Sequence, residues 1–588
     1  MKTSTNFARV AVTAGLTAAM ALGSVVAPAA MAFADTGSTV TFTDVDYAAS
    51  TTYKGIQIFK ATVATAEGAT TLSNIEWASD EAKTAVMAAI KAKDASYASE
   101  NAQDAADWLS ANTGVAGTDS KVASDNVLSM IAANLGASSA WKTTTAGDAS
   151  LSGLEAGYWL FLTADAGKPD GKSTDAFTSP VYAVIDGVSA TNVTPKKGVP
   201  TVEKKVLDDA DAVADDIKVS DNWKDVADSQ IGQEVNYKLT GTIASNYATF
   251  STYAYKFTDE LSSGLDYVNG SVEVYAKNGS DYSQIDASKY DVVWANNTLT
   301  VEFKVGNGKK GLKDVAGVDA NSKIVVFYKA KLNGNAVIGN APGDTKGGNP
   351  NTVKLEYSNN PYAEGTGQTI EDTVADFAFR LNLNKVDQGT ERGLAGAVFT
   401  IQSADANTEG QYVASKADAA GIIAGQLVAV ADANNLPEYV KFTSGDDGKI
   451  AVSGLDAGSY KVAEVQTPDD SKYTKASPFT FTITPKYDDS AMKVTGLTAA
   501  VSKADEGRTD IAFGTLDGTA GDHKLTGKDG TGTNAAAGEV TINVGNTKSV
   551  GLPITGLDGV TLTWVAGGAV LVIGVAHLIR GRREESEE

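Results

Sequence analysis

Residues 379–387 read Phe379-Arg380-Leu381-Asn382-Leu383-Asn384-Lys385-Val386-Asp387. Period-two alternation sets Phe379, Leu381 and Leu383 on one face, the pattern of a half-buried strand. Lys385 continues that apolar face. A second run, Val202-Glu203-Lys204-Lys205-Val206, places Lys204 on the face of Val202 and Val206. A charged lysine in a core costs several kcal/mol unless it is paired or neutralised. Two readings are open: a lysine at a strand end that snorkels to water, or a lysine buried for its chemistry.

Similar runs recur outward from these two. Val235 to Leu239, Ser271 to Tyr275, Leu299 to Val305 and Lys323 to Lys329 are separated by Gly, Asn and Asp turns. Ala378 to Leu383, Ala397 to Ile401, Ser459 to Val465 and Phe479 to Ile483 repeat the style up to a last strand, Glu539–Val544. The segment Gly514 to Gly538 reads as a long Gly-rich loop. Short alternating strands at this spacing predict immunoglobulin-like β-sandwiches, at 196–374 and 375–550. Residues 35–195 are mixed α+β. Strands at Thr39–Phe42 and Tyr53–Phe59 precede a helix begun by Asp80-Glu81, and helices follow near Ala102–Ala111 and Asn126–Leu135. Strands return at Gly157–Leu162 and Val181–Ile185. The expected class is mainly β.

The whole chain has 588 residues and a formal charge of −23. Such a charge argues against nucleic-acid binding. Without cysteine, disulfides, thiolate metal sites and cysteine nucleophiles are excluded. There are two histidines, and His577 lies in an apolar stretch, so histidine-based catalysis is not expected. No metal-ligand or cofactor spacing stands out, and no cofactor is expected.

Both ends carry address labels. Residues 1–34 read as a signal peptide, with Lys2 and Arg9 ahead of an apolar run and Ala32-Phe33-Ala34 as the cleavage site. Residues 551–588 contain Leu552-Pro553-Ile554-Thr555-Gly556, an apolar span from Val560 to Ile579, then Arg580, Arg582 and Arg583. That span has the ~20 residues a transmembrane helix needs, and the arginines set its orientation. The arrangement resembles the cell-wall sorting signal of Gram-positive bacteria. The resemblance implies that a sortase cuts after Thr555 and joins it to an amine.

Gly458-Ser459-Tyr460-Lys461-Val462-Ala463-Glu464 sets Glu464 on the face of Tyr460 and Val462, and Asn543 sits between Ile542 and Val544. Lysine, glutamate and asparagine together permit one reaction. Burial makes the lysine a neutral nucleophile and keeps the acid protonated. The acid polarises the carboxamide, ammonia leaves, and an isopeptide bond remains. Such a bond would serve as a disulfide does in a chain without cysteine.

The layout resembles the shaft (major) pilins of Gram-positive sortase-assembled pili, with collagen-adhesin-like domains. The resemblance implies that Lys385 joins Asn543 with Glu464 as the catalytic acid, Asn546 being a neighbouring candidate. It implies that Lys204 joins Asn351 with Asp259 as the acid, in Phe257-Thr258-Asp259-Glu260-Leu261. Asn359 shares the parity of Asn351 and is the alternative. Shaft pilins carry a Tyr-Pro-Lys motif whose lysine accepts the next subunit. The match here is Thr194-Pro195-Lys196-Lys197, with threonine in place of tyrosine, so that Lys196 is the linking lysine and Lys197 its alternative.

The implied function is a structural shaft subunit, secreted, wall-anchored and supporting adhesion, not an enzyme beyond its own crosslinking. Its implied partners are a sortase, identical subunits, minor pilins, peptidoglycan and host surface receptors; the precursor passes through the cytoplasmic membrane. A monomeric wall-anchored adhesin would use the same domains but would not need Lys196. A wall-anchored glycosidase would need a carboxylate pair, which no spacing singles out.

Overall fold

A computed structural model describes residues 37–548 except 44–50, 67–68, 115–121, 169–172, 210–216, 341–345, 470–471, 514–515, 518–523 and 526–532. The signal peptide, the Leu552–Gly556 motif and the apolar span lie outside the described residues.

The first unit packs three helices against a five-stranded sheet of Ala69–Trp77, Thr52–Ala66, Gly157–Asp165 and Val181–Ile185, with Lys142–Thr143 at its side. The helix Asp80–Lys93 starts at Ser79, whose side chain accepts from the Ala82 N–H. Asp80 and Glu81 in its first turn, with Lys91 and Lys93 in its last, complement the helix dipole. Ala82, Ala85, Val86, Ala89 and Ile90 recur at helical spacing and are buried. Helices Ala102–Asn112 and Val127–Asn134 are capped by Asn101 and Asn126. A smaller sheet joins Ser38–Phe42 to Ser150–Leu154 and Thr191–Val193, leading the chain to the Pro195-Lys196 junction.

The middle unit is a sandwich. One sheet contains Glu234–Thr242, Lys323–Leu332 and the lysine-bearing Val202–Leu207. The facing sheet contains Tyr255–Leu261, Asn349–Ser358 and Thr298–Phe303. Tyr255, Phe257, Tyr328, Val326, Leu355 and Tyr357 fill the space between them.

The third unit repeats the plan. Phe379–Asp387 lies between Lys449–Leu455, antiparallel to it, and Glu539–Asn546, parallel to it. The other sheet carries Val398–Ser403, Gly458–Gln466, Phe479–Asp488 and Lys493–Val501. Within the segment read as one long loop, Thr533–Asn534 folds back on Val540 and Glu539 as a short strand. In both sandwiches the lysine strand is an interior strand of its sheet or packs directly on the core, so alternation drives the lysine inward rather than to solvent.

Candidate functional site

Lys204 and Lys385 are both fully buried. Neither snorkels.

In the middle unit Lys204 comes from one sheet and Asp259 from the other. Lys204 Nζ donates to Asp259 Oδ1 at 2.5 Å and to Oδ2 at 2.6 Å. Both side chains are inaccessible to solvent. Asp259 stands opposite Val353, and Leu261 opposite Asn351, in the antiparallel pair of their strands. Two residues apart on one face, Asp259 and Asn351 therefore point into the same core layer. Between them lies Tyr328. Its hydroxyl donates to Asp259 Oδ2 (2.6 Å) and accepts from Asn351 Nδ2 (2.6 Å) and Lys204 Nζ (3.0 Å). Asn351 Oδ1 is buried with no hydrogen-bond partner. The rings of Tyr237 and Tyr328 lie 5.4 and 5.3 Å from Lys204 Nζ.

Burial lowers Lys204 to about 8 against the opposing pull of Asp259. Burial likewise raises Asp259 above the usual aspartate range, opposed by Lys204. Both shifts lower the cost of moving the shared proton from amine to acid. Asn359, the alternative to Asn351, lies just past the far end of the strand, where its Nδ2 donates to Asp175 O (3.4 Å).

The third unit assembles a similar set, with one correction. Glu464 is buried and accepts from Asn546 Nδ2 at Oε1 (3.0 Å) and from the Ala476 N–H at Oε2 (2.6 Å). Asn543, expected as the partner of Lys385, is on the other face of its strand. Its Oδ1 accepts from Asn384 and its Nδ2 donates to Ala512 O. Strand register is the physical reason. Lys385 pairs with Val544 and Asn384 with Asn543, so Lys385 shares its face with Val544 and, two residues on, Asn546. Asn546 Oδ1 is buried without a hydrogen-bond partner, as is Asn351 Oδ1. Lys385 Nζ donates to Val544 O at 2.8 Å. Burial lowers its pKa to about 8, with Glu464 the strongest opposing charge.

At the junction the two candidate lysines differ. Lys197 forms an ion pair with Asp175, both side chains nearly inaccessible. Lys196 is half-buried. Its N–H donates to Thr178 Oγ1 (2.6 Å) and its carbonyl accepts from the Ser179 N–H (2.8 Å), which fixes its backbone against the first unit.

Tyr328 carries no functional signal in the sequence. It alternates with Ile324, Val326 and Ala330 on a core-facing strand, where an aromatic is read as packing. Only the hydroxyl, set between acid and amide, distinguishes it.

Among the described residues no group of three or more His, Cys, Asp or Glu side chains could hold a metal ion.

Residues 379–497 match the SpaA family model, a prealbumin-like fold domain. The trypsin-resistant surface T6 protein of Streptococcus pyogenes serotype M6 is 26% identical over 219 residues, 35% of this chain and 37% of that protein. The chain thus spans little more than a third of the length of the curated relative it matches. The solved T6 backbone pilin of serotype M6 S. pyogenes aligns over 89% of this chain and all of its own, at 15% identity and a TM-score of 0.47. The full-length major pilin SpaD from Corynebacterium diphtheriae covers the same shares at 15% identity and a TM-score of 0.41. The chain is thus similar to a SpaA prealbumin-like fold domain over residues 379–497 and, over about a third of its length, to the T6 surface protein of S. pyogenes.

Proposed function

We propose that this chain is the structural shaft subunit of a covalent cell-surface pilus, locked internally by two autocatalytic isopeptide bonds. The observation that carries the reading is the recurrence, in two separate sandwiches, of a buried lysine, a buried carboxyl group and a buried asparagine whose Oδ1 has no partner. In the middle unit Lys204 joins Asn351 under Asp259. In the third, Lys385 joins Asn546 under Glu464. Each bond forms when the neutral amine attacks the carboxamide carbon and ammonia departs. Each bond ties the first strand of its sandwich to one late in the unit, Asn349–Ser358 in the middle unit and the last strand, Glu539–Asn546, in the third, which suits a rod that bears tension along its length.

Polymerisation runs through Thr555 of one subunit and Lys196 of the next, with a sortase as the enzyme and the wall peptidoglycan as the final acceptor. Lys196 follows Pro195 directly, as the lysine of the shaft-pilin motif does, and its backbone is pinned to the first unit at Thr178 and Ser179, so it is the acceptor. Minor pilins and host surface receptors are the remaining partners, and the finished polymer is extracellular. The test is an SDS gel of boiled wall extracts. Wild-type chain gives a ladder of high-mass species, Lys196→Arg collapses it to monomer, and Lys197→Arg leaves it in place. A ladder that survives Lys196→Arg contradicts the assignment.

A further inference from the structure

The two crosslinking sites solve one problem with different parts. In the third unit the acid touches the leaving nitrogen directly: Glu464 Oε1 is 3.0 Å from Asn546 Nδ2. In the middle unit the acid is an aspartate, one methylene shorter, and no hydrogen bond joins it to Asn351. The gap is filled by the Tyr328 hydroxyl, 2.6 Å from Asp259 Oδ2 on one side and 2.6 Å from Asn351 Nδ2 on the other.

We infer that Tyr328 is a catalytic residue of the middle unit, relaying the proton of Asp259 to the departing nitrogen of Asn351. This rests on the reading of Lys204, Asp259 and Asn351 as an isopeptide-forming set.

The hydroxyl already has the required polarity on the acid side, since its hydrogen is directed at Asp259 while its lone pairs receive Asn351 Nδ2 and Lys204 Nζ. Once the shared proton moves from Lys204 to Asp259, Asp259 becomes a donor and the hydroxyl rotates to accept from it. The hydroxyl hydrogen then points at Asn351 Nδ2.

The step balances as follows. The neutral Lys204 amine attacks Asn351 Cγ, forming the Nζ–Cγ bond. Asp259 passes its proton to the Tyr328 oxygen while the Tyr328 proton goes to Nδ2. The Cγ–Nδ2 bond breaks and ammonia leaves. The proton released from Nζ as the amide forms returns to Asp259, so acid and phenol are both regenerated.

Tyr328 stays neutral throughout, because burial and the neighbouring Asp259 raise its pKa well above the usual phenol value. A phenol that resists ionisation suits a relay that hands on one proton as it receives another. Tyr255, buried in the same core with its hydroxyl donating to Thr242 O (2.8 Å), stands outside this set and serves as the control.

The experiment follows the joined Lys204–Asn351 peptide by mass spectrometry of digested full-length chain, sampled over time after synthesis in a host without sortase. The joined Lys385–Asn546 peptide is the internal reference. Tyr328→Phe should slow joining of Lys204 to Asn351 about 100-fold, the size of a general-acid contribution, and leave the reference unchanged. Tyr255→Phe should leave both unchanged. Adding Asp259→Glu to Tyr328→Phe should restore joining, because the extra methylene lets the acid reach Nδ2 as Glu464 does.

Joining at wild-type speed in Tyr328→Phe overturns the relay. A slow variant that Asp259→Glu does not restore assigns Tyr328 a packing role and also overturns it. Absence of the joined peptide in wild-type chain overturns the reading of the site itself, and is distinguishable from both.

Discussion

Asn543 and Asn546 are three residues apart, and only one of them can meet Glu464. Glu464→Ala and Asn546→Ala should each leave Lys385 unjoined, so that the chain retains one ammonia, about 17 Da by stoichiometry. Asn543→Ala should still lose it. An Asn543→Ala chain that stays unjoined, read by intact mass, would reverse the assignment. Proton count sets the pH dependence in the middle unit. The reactive pair shares one proton between Lys204 and Asp259. Burial holds Lys204 at about 8 and lifts Asp259. Above about 8 that proton is lost and no acid remains. At low pH both groups are protonated and no nucleophile remains. The initial rate of joining should therefore be bell-shaped, its basic limb falling near pH 8. A rate that keeps rising to pH 10 would rule out acid assistance.

At the scale of the strand, the lesson is register. Alternation alone marked Lys204, Lys385 and Glu464 as inward, and all three are buried. It works for them because each strand has apolar residues on one face to set the phase. Glu539–Asn546 alternates as well: Val540, Ile542 and Val544 share a face that continues to Asn546, and Asn543 falls on the other. Both faces are buried from Val540 to Asn546, so alternation by itself does not say which face meets the lysine. The pairing Lys385 to Val544 is a long-range fact, and it is what excludes Asn543. Helices were more legible: acidic Asp80 and Glu81 marked the first turn of one, and the caps Ser79, Asn101 and Asn126 fix where the three begin. Tyr328 was illegible for a different reason: a core tyrosine and a proton relay have the same pattern.

The strands carrying each crosslink lie far apart in the chain. Closing a loop of about 150 residues removes unfolded-state entropy worth about 5 kcal/mol in the chain-entropy model. Asp259→Ala should therefore lower the unfolding temperature of the middle unit markedly while the third unit's transition stays put. Calorimetry that shows one shared shift, or none, would contradict independent locking.

Across the whole molecule, the joint between the second and third units is built on carboxyl groups. Asp228 accepts from the Ala457 N–H (2.8 Å) and from the Tyr487 hydroxyl (2.6 Å). Ser229 Oγ lies 2.9 and 3.1 Å from the oxygens of the buried Asp376, and Tyr460 donates to Gln230 (2.9 Å). Burial raises Asp376 well above the usual 3.8. Burial and then Asp228 do the same for Asp456. A raised carboxyl pKa means the folded joint holds protons that the unfolded chain has released. Its stability falls as pH climbs from 3.8 through the raised values. Asp456→Asn should remove part of that loss and raise the unfolding temperature near neutral pH, with little effect at pH 3. Equal effects at both pH values would refute the charge argument.

The central claim is that Lys196 of one subunit is joined to Thr555 of the next in a chain crosslinked within itself. Mass spectrometry of digested pilus material tests it most directly. The expected product is a branched peptide in which a segment ending at Thr555 is amide-linked to the Lys196 side chain, with nothing retained from Leu557 to Ile579. A branch at Lys197, or polymer still carrying Leu557 to Ile579, would contradict it.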